Sequence, residues 1–366
     1  MYATQMKANV GIAEIAKLAN VSVGTVDRAL HNRGRVSEAT RKRVLTIAAK
    51  FGYTPNLAAR ALKTGPRSHV IAVCVPKEIH YFFDELRSGI KEEAKRFEHL
   101  GLQVQFVPLE RLGDNEFATV KDMIEEVPRA LIITPGIPDQ LTALIDKAEE
   151  KNIRVICLDS DAPSSHRTAM VCADSTACGQ LAAELLGRFV PSRSQVAVVT
   201  GTMETQDHQA RVKSFRDLFS QVCSGGKVVG IIEDHEREEE SFQKCYRLLQ
   251  ENPKIAGLYV STANCLPVCR AISTLNLTHK VQLLTSDLFP EMVPYFDMGI
   301  IAASIHGRPF ALGRVAIQLL AELLLYGRAV QSKNYLAPHV VMKSTLHLFR
   351  EIRKNRENFE FTDSVD

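Results

Sequence analysis

Residues 22–28 combine side chains that can contact the edges of base pairs. Ser22 and Thr25 carry hydroxyls that can bond phosphates or bases, and Val23 can contact the methyl group of a thymine. Arg28, one helical turn later, can bond a guanine. The sequence therefore predicts a nucleic-acid contact here, and a salt-bridged surface arginine is the weaker alternative.

These residues open the second of two short helices that a tight turn joins. In the first helix Ile12, Ile15, Ala16 and Ala19 recur at helical spacing. Asn20 follows them and tolerates the left-handed conformation that a sharp helix exit needs. The pattern predicts a helix-turn-helix, because an ordinary helical hairpin would not need small and turn-forming residues at these offsets.

The second and third helices continue the same small unit. Ser22 can cap the second helix, and Val26 and Ala29 belong to its buried stripe. Ser37 can cap a third helix over residues 38–51, which has an apolar side of its own. The first turn of the second helix is then the part that reaches base edges.

Charge is distributed unevenly along the chain, although the net charge of the 366 residues is only +3. Residues 1–67 contain 12 Lys and Arg against 3 acidic residues, a net charge of +9, and the remainder carries −6. A basic head on a mildly acidic body is typical of a unit that meets a polyanion. A solvated basic face would give the same numbers, so the charge alone does not separate the two.

Residues 55–67 predict a hinge between two domains. Pro55 suits the first turn of a helix, and the run 57–63 is short, rich in alanine and without a wide apolar stripe. Gly65 and Pro66 then break it. A helix of this kind would be marginal on its own.

The stretch 12–65 resembles the DNA-binding head of the lac-repressor (LacI) family. The matching residues are Ile15-Ala16, Val21-Ser22, Thr25-Val26, Arg28, Val36-Ser37, Thr40-Arg41, Tyr53, Pro55-Asn56, Ala59 and Leu62. In that family the hinge becomes helical on DNA and wedges a leucine into the minor groove, which bends the duplex. Leu62 matches that leucine. The resemblance implies DNA contacts by Ser22, Val23, Gly24, Thr25, Arg28, Arg35, Asn56, Ala59 and Leu62.

Asp27 departs from this pattern, because the family commonly has serine beside the arginine. A carboxylate near a phosphate is unfavourable unless it is paired, for example with Arg28 or Arg41. The contacts of the second helix and the operator sequence therefore do not carry over from the family.

From residue 69 onward, short apolar runs alternate with amphipathic segments. We expect strands at 69–75, 103–107, 130–134, 153–158, 195–200, 227–232, 256–260, 281–286 and 300–305. We expect helices at 81–98, 115–126, 138–151, 175–189, 206–222, 238–251, 265–276 and 308–326. The alternation predicts parallel sheets covered on both faces, and a break near 172–175 suggests two Rossmann-like lobes. Ligands of such sheets bind at the carboxyl ends of the strands.

Residues 69–345 resemble the periplasmic sugar-binding fold that LacI-family effector domains share, most closely the ribose-binding type. The resemblance implies ligand contacts by Phe82, Phe83, Asp159, Arg211, Asn264, Asp287 and His306. Aromatic rings can stack on the C–H face of a sugar, and Asp and Arg can hold its hydroxyls. The alternatives are that the phenylalanines belong to the core, that Asp159 is a turn residue, and that His306 is an ordinary surface histidine.

The segment Ser261-Thr262-Ala263-Asn264 departs from the family, which often has Asn-Asp here, followed by a Met-Ala-Leu-Gly stretch. The aspartate that contacts the ligand in the family is missing, and Asn264 is the candidate to replace it. The identity of the ligand therefore does not follow from the resemblance.

Motifs for other chemistry are absent from the sequence. There is no GxGxxG after a strand, no GxxxxGK[ST] and no GxSxG, so we expect no enzyme, cofactor or nucleotide site. The eight cysteines lie mostly in apolar runs without metal spacing, which favours buried reduced thiols in a reducing cytosol. With no apolar run of about 18 residues and no signal-peptide core in residues 1–10, we expect a cytoplasmic protein without a membrane span.

The sequence as a whole predicts an all-α helix-turn-helix head and an α/β body of two Rossmann-like lobes, of the periplasmic-binding-protein type. We expect a DNA-binding domain at 1–54, the hinge at 55–67, an effector-binding and dimerisation domain at 68–350 and a charged tail at 351–366. Within the body, lobe 1 would span 68–173 and 305–334, and lobe 2 would span 174–304 and 335–350.

The resemblance implies a sequence-specific DNA-binding transcription regulator, most simply a repressor, whose operator affinity a sugar controls. A homodimer would bind a pseudo-palindromic site on double-stranded DNA. The alternative is a sugar-binding transport or chemoreceptor protein without DNA function. The body fits that alternative, but the basic head opposes it.

Overall fold

A computed structural model describes residues 11–30, 34, 36–51, 69–350 and 352. The chain divides into two compact units, one with Met1–Arg67 and Ala321–Ala329 and the other with Ser68–Leu320 and Val330–Asp366. The predicted hinge 55–67 and, apart from residue 352, the predicted tail 351–366 lie outside the described residues. So do four predicted DNA contacts: Arg35, Asn56, Ala59 and Leu62.

The described part of the head forms three helices, α1 (Ile12–Ala19), α2 (Val23–Leu30) and α3 (Glu38–Lys50). Asn20 ends α1 in the left-handed conformation, with φ 50° and ψ 52°, so the tight turn forms where the sequence predicts it. The three helices enclose a small core of Ile15, Ala16, Ala19, Val26, Ala29, Val44 and Ala48. Val26 is fully buried in this core.

Lobe 1 of the body contains a six-stranded parallel sheet in the order β11-β5-β4-β3-β1-β2. Its strands are β1 (His69–Pro76), β2 (Leu102–Leu109), β3 (Ala130–Ile133), β4 (Arg154–Leu158), β5 (Ala169–Ala173) and β11 (Lys333–Leu336). The connecting helices are α4 (His80–Lys95), α5 (Glu116–Glu125) and α6 (Pro138–Glu150). Every residue of β3 and β5 is buried, as expected for central parallel strands with both faces covered.

Lobe 2 repeats this order in a second sheet, β12-β10-β9-β8-β6-β7, in which the short β12 runs antiparallel to β10. Its strands are β6 (Gln195–Thr200), β7 (Lys227–Glu233), β8 (Ile255–Val260), β9 (Gln282–Ser286), β10 (Ile301–His306) and β12 (His339–Val341). Its helices are α7 (Ser175–Phe189), α8 (Gln206–Val222), α9 (Glu238–Glu251), α10 (Leu266–Thr274) and α11 (Val293–Asp297).

The chain passes between the two sheets three times. It leaves lobe 1 after β5, returns after β10 into α12 (Pro309–Leu324), and crosses again between β11 and β12. The last strand of lobe 1 is therefore made after most of lobe 2 in the chain order.

The start of α12 packs closely on α4. A Cβ at Gly89 would overlap the carbonyl oxygen of Phe310, and one at Gly313 would overlap that of Leu86. Both positions of this helix contact therefore need glycine. Beside them Glu93, only 1% exposed, accepts hydrogen bonds from Arg314 Nε at 2.8 Å and from Gln318 and Arg96. These contacts fix α4, whose first turn reaches the cleft between the lobes.

All nine predicted strands and all eight predicted body helices are present, within a few residues of the expected bounds. Three strands and a helix were not predicted: β5, β11, β12 and α11. The parallel two-lobed architecture is as expected. Within the described residues, no helix combines the length and the apolar character needed to cross a bilayer.

Candidate functional site

A cavity lies between the two lobes, at the carboxyl ends of the strands of both sheets. Its volume available to the centres of water-sized molecules is about 50 Å³. Lobe 1 lines it with Ile79, Phe82, Phe83, Leu112, Thr134, Asp159 and Ser160. Lobe 2 lines it with Thr205, Asp207, His208, Arg211, Glu236, Thr262, Ala263 and Asp287. This is the place where doubly wound sheets bind ligands.

Two aspartates occupy equivalent positions in the two lobes, Asp159 after β4 and Asp287 after β9. Both have a left-handed backbone, with φ of 70° and 63°. The N–H of Asp159 donates to the carbonyl of Val171, and that of Asp287 to the carbonyl of Ile305, each at 2.8 Å. Such a conformation costs a non-glycine residue about 1–3 kcal/mol and is concentrated at binding sites. The repeat thus supplies one carboxyl group from each lobe.

Arg211 approaches the same cavity from the first turns of α8. Its Nη1 donates to the carbonyl oxygen of Ser261 at 2.8 Å, which fixes the guanidinium. Its buried Nε has no hydrogen-bond partner among the described residues. Burial acts to lower the pKa of Arg211, but neighbouring acidic groups, Cys178 and Asp159 among them, hold it above the usual value. The side chain is therefore a permanent cation with a donor left for a ligand.

Three of the carboxyl groups that line the cavity have perturbed acidity. Burial raises the pKa of Asp159 to about 7, partly offset by Arg211. Burial raises the pKa of Glu236 to about 8, and the nearby Glu78 adds to the shift. Burial also raises the pKa of Asp207, which accepts a hydrogen bond from Ser175 Oγ at 2.9 Å. These groups are held close together in a space that disfavours their charge.

His208 lies beside Arg211 on α8 and lines the cavity. Its Nδ1 lies 2.9 Å from the carbonyl oxygen of Thr202. Burial, together with the charge of Arg211, lowers the pKa of His208 to about 4. The imidazole is neutral at pH 7 and adds no positive charge to the site.

Aromatic side chains at the start of α4 form the lobe 1 wall. Phe82 and Phe83 are both buried and pack edge to face, with ring centroids 5.1 Å apart. Tyr81 reaches across the cleft instead. Its ring stacks on Phe289 of lobe 2 with centroids 3.7 Å apart, and its hydroxyl donates to the carbonyl of Ala263 at 3.0 Å. Tyr81 of lobe 1 therefore joins the two lobes through these two contacts.

The predicted base-contacting turn of the head is presented at the surface. Ser22 caps α2 by accepting a hydrogen bond from the N–H of Thr25 at 3.1 Å. Val23 is 46% exposed, and Gly24 beside it is also exposed. Arg28 donates to Thr25 Oγ1 at 3.3 Å, which aligns the arginine along the same face. The turn thus offers hydroxyl, methyl and guanidinium groups together.

Comparison with known proteins accounts for both units. Residues 11–56 match the bacterial regulatory proteins of the lacI family, and residues 71–329 match the periplasmic binding protein domain. The HTH-type transcriptional regulator DegA of Bacillus subtilis is 28% identical over 71% of this chain and 75% of its own length. The HTH-type transcriptional repressor PurR of Aliivibrio salmonicida is 23% identical over 92% of this chain and 98% of its own. The chain belongs to the LacI family of transcription regulators.

The body of this LacI-family regulator also resembles solved sugar-binding proteins. The glucose-galactose binding protein GanP of Geobacillus stearothermophilus is 25% identical and covers 76% of this chain and 99% of its own, with a TM-score of 0.71. The relatives are transcription regulators and not enzymes. A transport protein without DNA function is not favoured, because the same chain contains the lacI-family head.

Five of the seven predicted ligand residues line the cavity of this LacI-family regulator: Phe82, Phe83, Asp159, Arg211 and Asp287. Asn264 and His306 do not. The amide of Asn264 donates to Asp234 Oδ2 at 2.9 Å. His306 is buried at the end of β10, with its Nδ1 4.0 Å from Asp287 Oδ1. Neither residue belongs to the lining of the cavity, and each lies close to a carboxyl group next to it.

The structure adds polar residues that the sequence did not single out. Asp207 precedes Arg211 by one helical turn, so helical periodicity could have placed it on the same face. Glu236 follows β7, and its N–H donates to Asp234 Oδ1 at 2.9 Å. Thr134 and Thr205 contribute buried hydroxyls. No sequence motif marks the last three, because they come together only through the sheet order.

Proposed function

We propose that this LacI-family regulator binds operator DNA with an affinity that a small polyhydroxylated ligand, of the sugar class, controls. The observation that carries the proposal is the cavity in which Asp159, Asp287 and Arg211 converge from both lobes. Carboxylates and a guanidinium hold vicinal hydroxyls, and the Phe82–Phe83 wall offers an apolar surface to C–H groups. The likeness to a glucose-galactose binding protein supports the same class.

The ligand would act by changing the angle between the lobes. A ligand held by groups of both lobes favours the closed arrangement, since only there do all contacts form together. In the proposed dimer, closure moves the two hinge segments at 55–67 relative to each other and so changes the fit to a pseudo-palindromic operator. A coupling of about 1–3 kcal/mol is enough for a 5–150-fold change in affinity.

DNA contacts are proposed for the first turn of α2, from Ser22 to Thr25, and for Arg28. Arg35, Asn56, Ala59 and Leu62 complete the proposed interface by their match to the family head. The proposed domains are those expected from the sequence, with the head at 1–54 and the effector domain at 68–350. The protein would act in the cytoplasm, where it meets its operator.

The DNA half of the proposal is tested by selecting bound duplexes from a random pool with the full protein. We expect enrichment of a two-fold symmetric sequence, whereas enrichment of no sequence would refute operator recognition. Leu62→Ala should then weaken binding to the selected duplex more than binding to random duplex. An equal loss of affinity for the selected and the random duplex would refute the role of Leu62 as a wedge.

The ligand half is tested by thermal unfolding with a panel of pentoses, hexoses, sugar alcohols and disaccharides. A ligand at 100 times its Kd stabilises the folded state by about 2.7 kcal/mol, a shift of a few degrees. Arg211→Ala should abolish the shift, whereas Arg216→Ala, an exposed arginine on the same helix, should leave it intact. A normal shift with Arg211→Ala would remove this residue from the site.

A further inference from the structure

Acidic side chains outnumber basic ones around the cavity. Asp159, Asp207, Glu236 and Asp287 line it, two from loops after equivalent strands and two from other parts of lobe 2. Among the described residues that line the cavity, Arg211 alone has a cationic side chain. When all four carboxyls are ionised, the lining carries three more negative than positive charges.

The positive charge that is present does not cancel this excess. One nitrogen of the Arg211 guanidinium is already bonded to the carbonyl of Ser261. His208 is neutral at pH 7, because burial and Arg211 lower its pKa to about 4. Glu78 adds a further carboxyl close to Glu236 and raises the pKa of that residue, so the negative region extends to the edge of the cavity.

The cavity also contains polar atoms that need a partner. Thr134 and Thr205, which are 1% and 2% exposed, each place a buried Oγ1 without a hydrogen-bond partner among the described residues. A buried hydroxyl without a partner costs free energy, so these two positions are suited to a ligand with hydrogen-bonding groups. They come from opposite lobes, and a ligand between them would bond both.

We infer that the effector is a polyhydroxylated amine, such as an amino sugar, whose ammonium group bonds the carboxyl groups of this cavity. The inference rests on the proposed function and narrows its ligand class. An ammonium donates charge-assisted hydrogen bonds to carboxylates, and these are stronger than those of a neutral hydroxyl. An acidic sugar would instead place a further negative charge among the four carboxyls.

The acidity of the site has a consequence for binding. With pKa values of about 7 and about 8, Asp159 and Glu236 are partly protonated at pH 7 in the ligand-free protein. An ammonium group favours their ionised forms, so amine binding releases protons. Glu78, Asp234, Asp159 and Arg211 act electrostatically on Glu236, and Tyr81 also lies close enough to interact with it.

The experiment compares matched ligands that differ in charge at one carbon. Full-length protein is titrated at pH 6.5 with the 6-amino-6-deoxy derivative, the parent sugar and the uronic acid of glucose, galactose and mannose, and with the 2-amino sugars. Binding is measured by thermal unfolding and by calorimetry. For the sugar that fits, we expect the amine to bind at least about tenfold more tightly than the parent, and the uronic acid not to bind.

Glu236→Gln tests the assignment of the charge. In this variant the ratio of amine affinity to parent-sugar affinity should fall about tenfold, and fewer protons should be released on amine binding. Glu239→Gln, an exposed glutamate at the start of α9, is the matched control and should behave as the wild type. If Glu236→Gln binds the amine as tightly as the control does, the inference is overturned.

The outcomes separate the inference from the proposed function. Tighter binding of a parent sugar or a uronic acid than of its amine overturns the inference and leaves a sugar-controlled regulator. Failure of every amine in the panel to bind also overturns it, whatever the neutral sugars do. Failure of the protein to select a duplex from the random pool refutes operator recognition without bearing on which ligand the cavity takes.

Discussion

Removal of the Tyr81 hydroxyl should open the cleft between the lobes. Tyr81→Phe deletes the hydrogen bond to the carbonyl of Ala263 and keeps the stacked ring on Phe289. A hydrogen bond of this kind contributes about 1 kcal/mol, so the ratio of closed to open molecules should fall about fivefold. Tyr81→Ala also removes the stacked pair, worth about 0.5–1.5 kcal/mol beyond its buried area, and should open the cleft further.

Small-angle scattering of the ligand-free proteins measures this change through the radius of gyration. We expect the smallest radius for the wild type, a larger one for Tyr81→Phe and the largest for Tyr81→Ala. Tyr246→Phe is the matched control, since the hydroxyl of Tyr246 accepts a hydrogen bond from Gln250 within the same helix and joins no lobes. Superimposable scattering profiles for wild type, Tyr81→Phe and Tyr81→Ala would refute the role of Tyr81 in joining the lobes. An equal change in the radius of gyration of Tyr246→Phe would refute it too.

Four further substitutions test the head and the packing behind the cleft. Val26→Ala should destabilise the head by about 2 kcal/mol, because the side chain is fully buried, whereas Val23→Ala should keep stability and weaken DNA binding. Ser37→Ala should cost α3 about 1 kcal/mol, since its hydroxyl accepts from the N–H of Thr40. Glu93→Gln should destabilise the body by about 1–3 kcal/mol at pH 7 by weakening the hydrogen bonds from Arg314, Gln318 and Arg96.

The Glu93 prediction has a definite pH dependence. Burial acts to raise the pKa of Glu93, but hydrogen bonds from Gln318 and Arg314 hold it below the usual value. A lowered pKa stabilises the folded state above the unfolded pKa, and this stability is lost as the pH falls through the folded value. The free energies of unfolding of wild type and Glu93→Gln, measured in urea, should therefore differ at pH 7 and converge toward pH 3.

Each of these predictions has an outcome that would contradict it. Equal midpoints of urea unfolding for Val26→Ala and Val23→Ala would contradict the placement of Val26 in the core of the head. Ser37→Asp retains a capping oxygen, so a loss in that variant equal to the loss in Ser37→Ala would exclude the cap as the cause. If the difference in the free energy of unfolding between Glu93→Gln and wild type stays constant from pH 7 to pH 3, the carboxylate charge is excluded as its cause. Glu92→Gln, at the surface beside it, should have a smaller effect.

Much of the fold could be predicted because each central strand is a short apolar run between amphipathic helices. The three strands that were not predicted show where this signal ends. Residues 169–173 are as apolar as any predicted strand, but they overlap the break near 172–175 that marks the boundary between the lobes. Residues 333–336 and 339–341 are largely exposed and carry no such pattern. Only pairing with β5 and β10 makes them strands.

The site was predictable where a residue follows a strand that matches a known fold, as Asp159 and Asp287 do. Asn264 shows why a local match can fail. Its amide is taken by Asp234, a buried carboxyl 30 residues earlier in the sequence, and no local pattern reports that contact. Glu236 was missed for the same reason, because the loop after β7 reaches the cavity only through the order of strands in the sheet.

The three crossings of the chain also govern how the molecule is made. During synthesis, lobe 1 has all but one of its strands when residue 173 leaves the ribosome, yet β11 follows about 160 residues later. Until then β5, buried along its whole length in the finished protein, is an apolar edge strand, which is a template for aggregation. A nascent chain that stalls or is cut before residue 333 would therefore expose this edge, and chaperones would have to protect it for most of the time that lobe 2 takes to emerge.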